Sequence, residues 1–354
     1  MTTKTSPALI GMDHADLLHL CQQAEVKPVH AKQLNAWVFR HGVTDTHQIP
    51  DLPHALYDYL DGHVGQLKPE CVANRIAEDG THKMLLRMPD GKEVETVLIP
   101  GPKRLTQCVS TQVGCAVGCQ FCLTATAGLT RNLSAAEMVS QVMTARDISD
   151  QAIRNLVLMG MGEPLHNYEE VAKFVRIVTD PLGLAFSPHR VTLSTSGLVP
   201  GIYRMIEDKL PCNLAVSLNA TTDEVRSQII PINAKYPIAE LMTAVREYIK
   251  SKDKNRVLIE YVMLGGINDS SEDARRLITL LHGLGCTVNL LPFNPFSGTT
   301  FQRPDDATVS AFRSILVNAG MVTVVRKSKG DEISAACGQL KTEITARRNK
   351  ASFG

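Results

Sequence analysis

No stretch of this 354-residue sequence stays apolar for the ~18 residues that a membrane span needs, and Asp13, His14 and Asp16 interrupt the apolar run near the N-terminus. A cytosolic protein is the expectation. Charge of one sign is also missing: 37 Lys and Arg offset 36 Asp and Glu, leaving +1. The global charge therefore neither requires nor excludes a polyanionic partner, and any basic footprint must be local. With 44% hydrophobic and 21% charged residues, the chain has neither a disordered nor a collagen-like composition. At ~150 residues per domain, the length suits roughly two domains, one large core and an appended module. Cysteine, by contrast, is plentiful and uneven. Nine are present, and Cys108, Cys115, Cys119 and Cys122 crowd into fifteen positions. In a reducing compartment such clustering points to metal binding or catalysis before structural disulfides.

Residues 1–62 place apolar side chains at helical spacing, as around Leu17, Leu18 and Leu20 and again around Leu34, Trp37 and Phe39, which predicts a small helical module. It holds four Lys and Arg against seven Asp and Glu. The stretch with Lys27, His30, Lys32, Arg40 and His41 offers a basic face, so RNA contact and plain packing both stay open. Residues 63–104 form a linker segment whose pattern of strand (82–88), Pro89-Asp90-Gly91 turn and strand (92–100) predicts a β-hairpin. Glu93, Glu95, Val97 and Ile99 share one face of its second strand, and the plain reading of the two carboxylates is a solvated strand end.

From residue 105 to 345, strand and helix patterns alternate. Strands are expected at 106–111, 155–161, 190–196, 213–219, 256–265 and 287–294, with a capping-box helix after Ser134 and another amphipathic helix after Ser271. Repeated β-α units imply a parallel sheet, and six strands favour a partial barrel over eight full repeats. Residues 346–354 read as a tail. Polar or glycine-rich signatures close the strands: Gly162-Glu163, Ser194, Ser217 to Asn219, and Asn294. Ligands of α/β folds bind at those carboxyl ends.

Cys115-x-x-x-Cys119-x-x-Cys122 follows Gly114 in the loop between the first such strand and the capped helix. Three thiolates in eight residues can close around one metal centre, and soft sulfur ligands select iron–sulfur or zinc. A cubane held by three cysteines leaves one iron free to chelate a substrate, whereas a structural zinc needs a fourth ligand, which Cys108 could supply. The residues alone leave both open.

The three-cysteine loop on a first β-α unit resembles the radical S-adenosylmethionine (SAM) superfamily. More narrowly, Cys108-Val-Ser-Thr-Gln-Val-Gly-Cys115, Arg131-Asn132-Leu133, Met159-Gly-Met-Gly-Glu-Pro-Leu165, Ala215-Val-Ser-Leu218 and Ala335-Ala-Cys-Gly-Gln-Leu340 resemble the RlmN-type rRNA adenine methyltransferases. Departures are Asn219, where that family more often has His, and Gly128-Leu129 in place of Gly-Phe. The resemblance implies an α/β fold, a partial (β/α)6 radical SAM barrel with a small N-terminal helical domain and a hairpin extension. It also implies a [4Fe-4S] cluster on Cys115, Cys119 and Cys122, and SAM held by Gly162, Glu163, Ser194, Ser217, Leu218, Asn219 and Asn294.

The implied reaction methylates carbon-2 of adenosine 2503 in 23S rRNA, with adenosine 37 of tRNAs as a second target. Carbon-2 lies between two ring nitrogens and is too electron-poor to attack a sulfonium. The resemblance implies that one SAM methylates Cys337, and that a second yields a 5′-deoxyadenosyl radical that activates that methyl for addition to the ring. By resemblance, Cys108 is the resolving thiol that breaks the adduct through a transient disulfide with Cys337, and Glu95 is the proton acceptor. Expected partners are rRNA ahead of full ribosome assembly, tRNA and an external electron donor such as a flavodoxin system. The chain is expected to be a monomer without a membrane partner. A Cfr-type carbon-8 enzyme is the neighbouring reading, although Gly162-Glu163-Pro164-Leu165 and Ile259-Glu260-Tyr261 look closer to the carbon-2 branch. A zinc-stabilised RNA-binding protein is the reading from another class. Residues 321–350 carry seven Lys and Arg against three Asp and Glu around Cys337, which suits phosphate contact or a solvated tail.

Overall fold

A computed structural model describes residues 8–43, 45–65, 67–102, 104–252 and 257–340. The first module is helical as expected, with α1 (His14–Gln23), α2 (Val29–Arg40) and α3 (His54–His63). Asp13 and Asp16 form a reciprocal capping box that starts α1. Leu17, Leu20 and Cys21 then bury one stripe of this helix, and Ala31, Leu34 and Val38 do the same for α2.

The chain continues through β1 (Glu70–Ile76), β2 (His82–Arg87), β3 (Glu93–Gly101) and β4 (Arg104–Cys108). A two-stranded ribbon follows, β5 (Gln112–Gly114) and β6 (Leu129–Asn132), and the three cysteines lie in the loop between its strands. Then come α4 (Ala135–Ile148), β7 (Ile153–Leu158), α5 (Tyr168–Thr179), β8 (Val191–Thr195), α6 (Val199–Glu207), β9 (Asn213–Ser217), α7 (Asp223–Ile229), α8 (Ile238–Lys250), β10 (Val257–Met263), α9 (Ser271–Leu281), β11 (Cys286–Pro292), α10 (Asp306–Asn318) and β12 (Thr323–Val325). Ten strands make one sheet in the order β1-β2-β3-β4-β7-β8-β9-β10-β11-β12. It is antiparallel from β1 to β4 and parallel from β4 onward.

All six expected parallel strands are present, with helices crossing between them as parallel pairing requires. Four strands were not foreseen: β1 turns the hairpin into a three-stranded extension, β5 and β6 form the separate ribbon, and the short β12 adds a seventh parallel strand. Several strands also end earlier than the sequence pattern implied, because the chain leaves the ladder to make loop hydrogen bonds. Thr111 N donates to Met161 O at 2.8 Å, and Ala220 N donates to Leu218 O at 2.8 Å. The polar signatures therefore sit in loops beyond the strand ends. The capping box of α9 is built on Ser270 and Asp273, one residue before the expected Ser271.

The helical module packs against the outer helices of the sheet. A Cβ on Gly11 would lie 2.6 Å from Ala136 Cβ on α4. Asn35 Nδ2 donates to Asp180 Oδ2 at 3.1 Å, and Lys173 pairs with Asp16 at 2.6 Å. Among the described residues, no helix is long and apolar enough to cross a membrane.

Candidate active site

The cysteine loop begins at a backbone position that only glycine fills. Gly114 has φ +80°, and a Cβ there would lie 1.9 Å from Gly128 O. This close approach lets Cys115 N donate to Gly128 O at 2.9 Å. Further along, Gln120 N donates to Ile229 O at 3.0 Å, anchoring the loop to the end of α7. Leu123 N donates to Gly338 O at 2.7 Å and Thr124 Oγ1 to Leu340 O at 2.6 Å. Two segments more than two hundred residues apart in sequence are thus joined, and Cys337 is brought to the cysteine loop.

Cys115, Cys119, Cys122 and Cys337 line one cavity at the carboxyl ends of the parallel strands, together with Gly162, Glu163, Ser194, Ser217, Asn219 and Asn294. Burial pushes the Cys115 thiol up to about 11 and the Cys119 thiol well above its usual range, the latter reinforced by the other two cysteines. Cys337 presents its surface to the cavity, yet the protein around it desolvates the thiol and pushes it up to about 11. Free thiolates are thus disfavoured, while thiolates that share their charge with iron are not. Among the described residues, no three His, Cys, Asp or Glu side chains converge on the volume of a single ion. Three neighbouring sulfurs around one open cavity suit a multi-iron cluster that draws on no fourth protein donor.

Glu163 is buried, and its carboxylate accepts hydrogen bonds from Ser196 N and Ser196 Oγ, both 2.7 Å, and from Leu165 N at 3.0 Å. Its neighbour Gly162 has φ +106°, and a Cβ there would lie 2.6 Å from Gln112 Cβ, so no other residue fits. Asn219 adopts the left-handed conformation at φ +57°. Its Oδ1 accepts from Val262 N at 2.8 Å, while Nδ2 is buried on the cavity wall without a protein partner. Ser328 and Arg303 both donate to Asn294 Oδ1.

Three expected site residues do not line the cavity. Leu218 is fully buried, and its N–H donates to Glu260 O at 3.1 Å. Cys108 ends β4 as a fully desolvated thiol whose electrostatic neighbour is Cys337, not the three-cysteine loop. Cys108 pairs with Val97 and Val157 inside the sheet and is not on the wall that the three cysteines share, so it is not placed as the fourth ligand of the zinc reading. Glu95 corrects another expectation. Its side chain is buried and pairs with Lys83 at 3.1 Å, because β3 is an interior strand flanked by β2 and β4. Glu93 keeps a partner near the surface, Arg87 at 2.9 Å.

Several wall residues were not assigned to the site from sequence, among them Ser196, Phe293 and Glu260. Glu260 had a signal, a carboxylate in an otherwise apolar strand. Burial raises its pKa, and its carboxyl accepts from Asn289 Nδ2 at 2.8 Å across the β10–β11 pair. Of the remaining cysteines, Cys21 and Cys212 are buried, whereas Cys71 is exposed on the edge strand β1 and Cys286 is half-buried. In the basic segment, Lys329 pairs with Asp79 at 3.5 Å. Lys341, Glu343, Arg347, Arg348 and Lys350 lie outside the described residues.

A radical SAM superfamily model matches residues 109–278. The chain is 45% identical to a dual-specificity RNA methyltransferase RlmN of Rhodospirillum rubrum, covering 98% of this chain and 84% of that one. It is 43% identical to the protein of the same name from Marinobacter nauticus, covering 97% and 95%. A crystal structure of a radical SAM methyltransferase from Sphaerobacter thermophilus superposes with a TM-score of 0.87 at 43% identity, over 95% of this chain and 99% of that one.

Proposed function

The chain belongs to the RlmN family of radical SAM RNA methyltransferases, and from that premise we propose that it methylates carbon-2 of adenosine 2503 in 23S rRNA and of adenosine 37 in tRNAs, with Cys337 as methyl carrier. Its cofactors are a [4Fe-4S] cluster and SAM. The observation that carries the proposal is the meeting of the three-cysteine loop and Cys337 in one cavity. When bound, the cluster supplies the electron that cleaves the SAM sulfonium and yields a radical able to take hydrogen from a methyl group.

The chain's own residues divide the remaining work. Cys115, Cys119 and Cys122 hold the cluster. Gly162, Glu163, Ser194, Ser217, Asn219 and Asn294 hold SAM, and Leu218, whose backbone groups bond to Glu260 and Arg226, fixes the loop that carries Ser217 and Asn219. Cys337 receives a methyl as a thioether and presents it to the base, which must be turned out of its stack to reach the cavity. Release follows when the Cys108 sulfur attacks that of Cys337. An S–S bond forms, the S–C bond breaks, and its electron pair stays with the carbon, which takes a proton to finish as methyl. The electrostatic proximity of the two thiols supports this role. Glu95, paired with Lys83 at 3.1 Å, is the proposed acceptor of the ring proton, which would leave as the adduct gives its odd electron back to the bound cluster. The proposed setting is a monomer in the cytoplasm, acting on 23S rRNA ahead of full ribosome assembly and on tRNA with a flavodoxin-type electron donor. The domain scheme of helical module, hairpin segment and barrel belongs to the same proposal.

Mass-spectrometric mapping of RNA from cells with and without the gene tests it. 2-Methyladenosine at position 2503 and at tRNA position 37 should vanish with the gene. 8-Methyladenosine would establish the Cfr-type reaction instead. Wild-type protein should contain S-methylcysteine at Cys337, and Cys337→Ala should keep its iron yet form no methyladenine.

A further inference from the structure

Arg226, on α7, is a completely buried arginine. Its guanidinium makes four hydrogen bonds: Nη2 to Ser196 O at 2.6 Å and Ser217 O at 3.1 Å, Nε to Leu218 O at 2.9 Å, and Nη1 to Asn233 Oδ1 at 2.9 Å. Every acceptor is neutral. Among the described residues, no carboxylate lies within ion-pair distance; Asp223 shares Asn233 with the guanidinium and acts on it only at longer range. A cation taken out of water without a close counter-ion is costly, and uncharged acceptors do not cancel its charge.

What stands next to it is the cavity. Ser196 and Ser217 line the wall, and their carbonyls are among those that Arg226 holds. The Ser196 N–H also donates to Glu163, so Glu163 and Arg226 hold the two backbone polar groups of one residue. Cys119 is an electrostatic neighbour of the guanidinium. A [4Fe-4S]2+ core on three thiolates carries a net negative charge, and one-electron reduction makes it more negative.

We infer that Arg226 is the buried counter-charge of the cluster site, a positioning residue that pins the loops after β8 and β9 around SAM and favours the reduced cluster. The inference rests on Cys115, Cys119 and Cys122 holding that cluster. Two separable functions follow from one side chain. The positive charge sets the reduction potential, which responds to nearby charge. The planar fork sets the loop geometry, because a lysine ammonium cannot reproduce its spread of bonds to several carbonyls.

The test uses full-length protein reconstituted anaerobically with iron and sulfide: wild type, Arg226→Gln and Arg226→Lys. Reduced cluster is followed by electron paramagnetic resonance during a redox titration, and SAM affinity is measured by equilibrium dialysis. For the Gln variant, the ratio of reduced to oxidised cluster at fixed ambient potential should fall about tenfold, a negative shift of about 59 mV for a one-electron couple. The Lys variant should stay within about threefold of wild type in that ratio yet bind SAM at least about fivefold more weakly. A Gln variant with full iron and an unshifted potential overturns the inference, as does a Lys variant whose potential moves as far as that of Gln. Should the Gln variant fail to take up iron, the Lys variant decides: an unshifted potential with weakened SAM binding supports the inference, and a shifted one overturns it. Wild-type protein that assembles no cluster would overturn the cluster assignment itself, and the inference with it.

Discussion

Lys83 Nζ on β2 lies 3.1 Å from Glu95 Oε1 on the neighbouring strand β3, with both side chains almost fully buried. The same ammonium donates to Ser334 O at 3.2 Å, three residues before Cys337. One buried cation thus joins the proposed proton acceptor to the loop of the proposed methyl carrier. Removing one partner of a buried pair typically costs about 3–5 kcal/mol, whereas replacing both with apolar side chains is far milder. Lys83→Met should therefore lower stability to unfolding by about 3 kcal/mol, and Lys83→Met with Glu95→Leu should recover most of that loss. Denaturant midpoints of the four members of the cycle measure it, and strictly additive losses would show that the pair is not coupled.

Cys108→Ala should separate the early chemistry from release. Cluster assembly and Cys337 methylation do not use this thiol, so both should persist. RNA should then accumulate covalently bound to protein, visible on denaturing gels and collapsed by ribonuclease. A core cysteine without a chemical role would instead lose only about 1 kcal/mol of stability and trap nothing.

Wild-type protein purified anaerobically should be brown and carry about four irons per chain. Cys119→Ala should remove nearly all of that iron. Gly114→Ala should also reduce it by more than half, although no ligand is touched, because the added Cβ would meet Gly128 O at 1.9 Å and displace Cys115. Iron analysis after reconstitution reads both, and a Gly114→Ala protein with full iron would mean that the loop can relax around the clash.

Glu260 sets a pH dependence. Burial raises its pKa above the usual 4.5, so the folded chain keeps a proton that the unfolded chain has lost once pH passes that value. The folded state then binds more protons, and stability falls as pH rises from 4.5 through the folded pKa. Glu260→Gln lacks this slope. Its denaturation midpoint relative to wild type, both without cofactor, should improve from pH 4.5 to pH 7; the opposite trend would contradict the raised pKa.

The elements near in sequence were legible because their causes are local. The Ser134–Glu137 capping box starts α4 as read, six parallel strands follow the apolar runs, and the spacing of Cys115, Cys119 and Cys122 within one loop marks a sulfur site. What depended on tertiary structure is every statement about which distant residues meet. Glu95 looked like a solvated strand end from its alternation, but alternation says only which face a side chain shares, and an interior strand can bury both faces. Arg226 carries no sign in the sequence of being enclosed, since a helical arginine is ordinarily solvated; its burial depends on carbonyls of Ser196, Ser217 and Leu218 supplied by other strand ends. Likewise, nothing local to Cys337 brings it to Cys122. Hydrogen bonds from Leu123 and Thr124 to Gly338 and Leu340 do that, and they exist only once the folded chain has brought the segment after β12 to the cysteine loop.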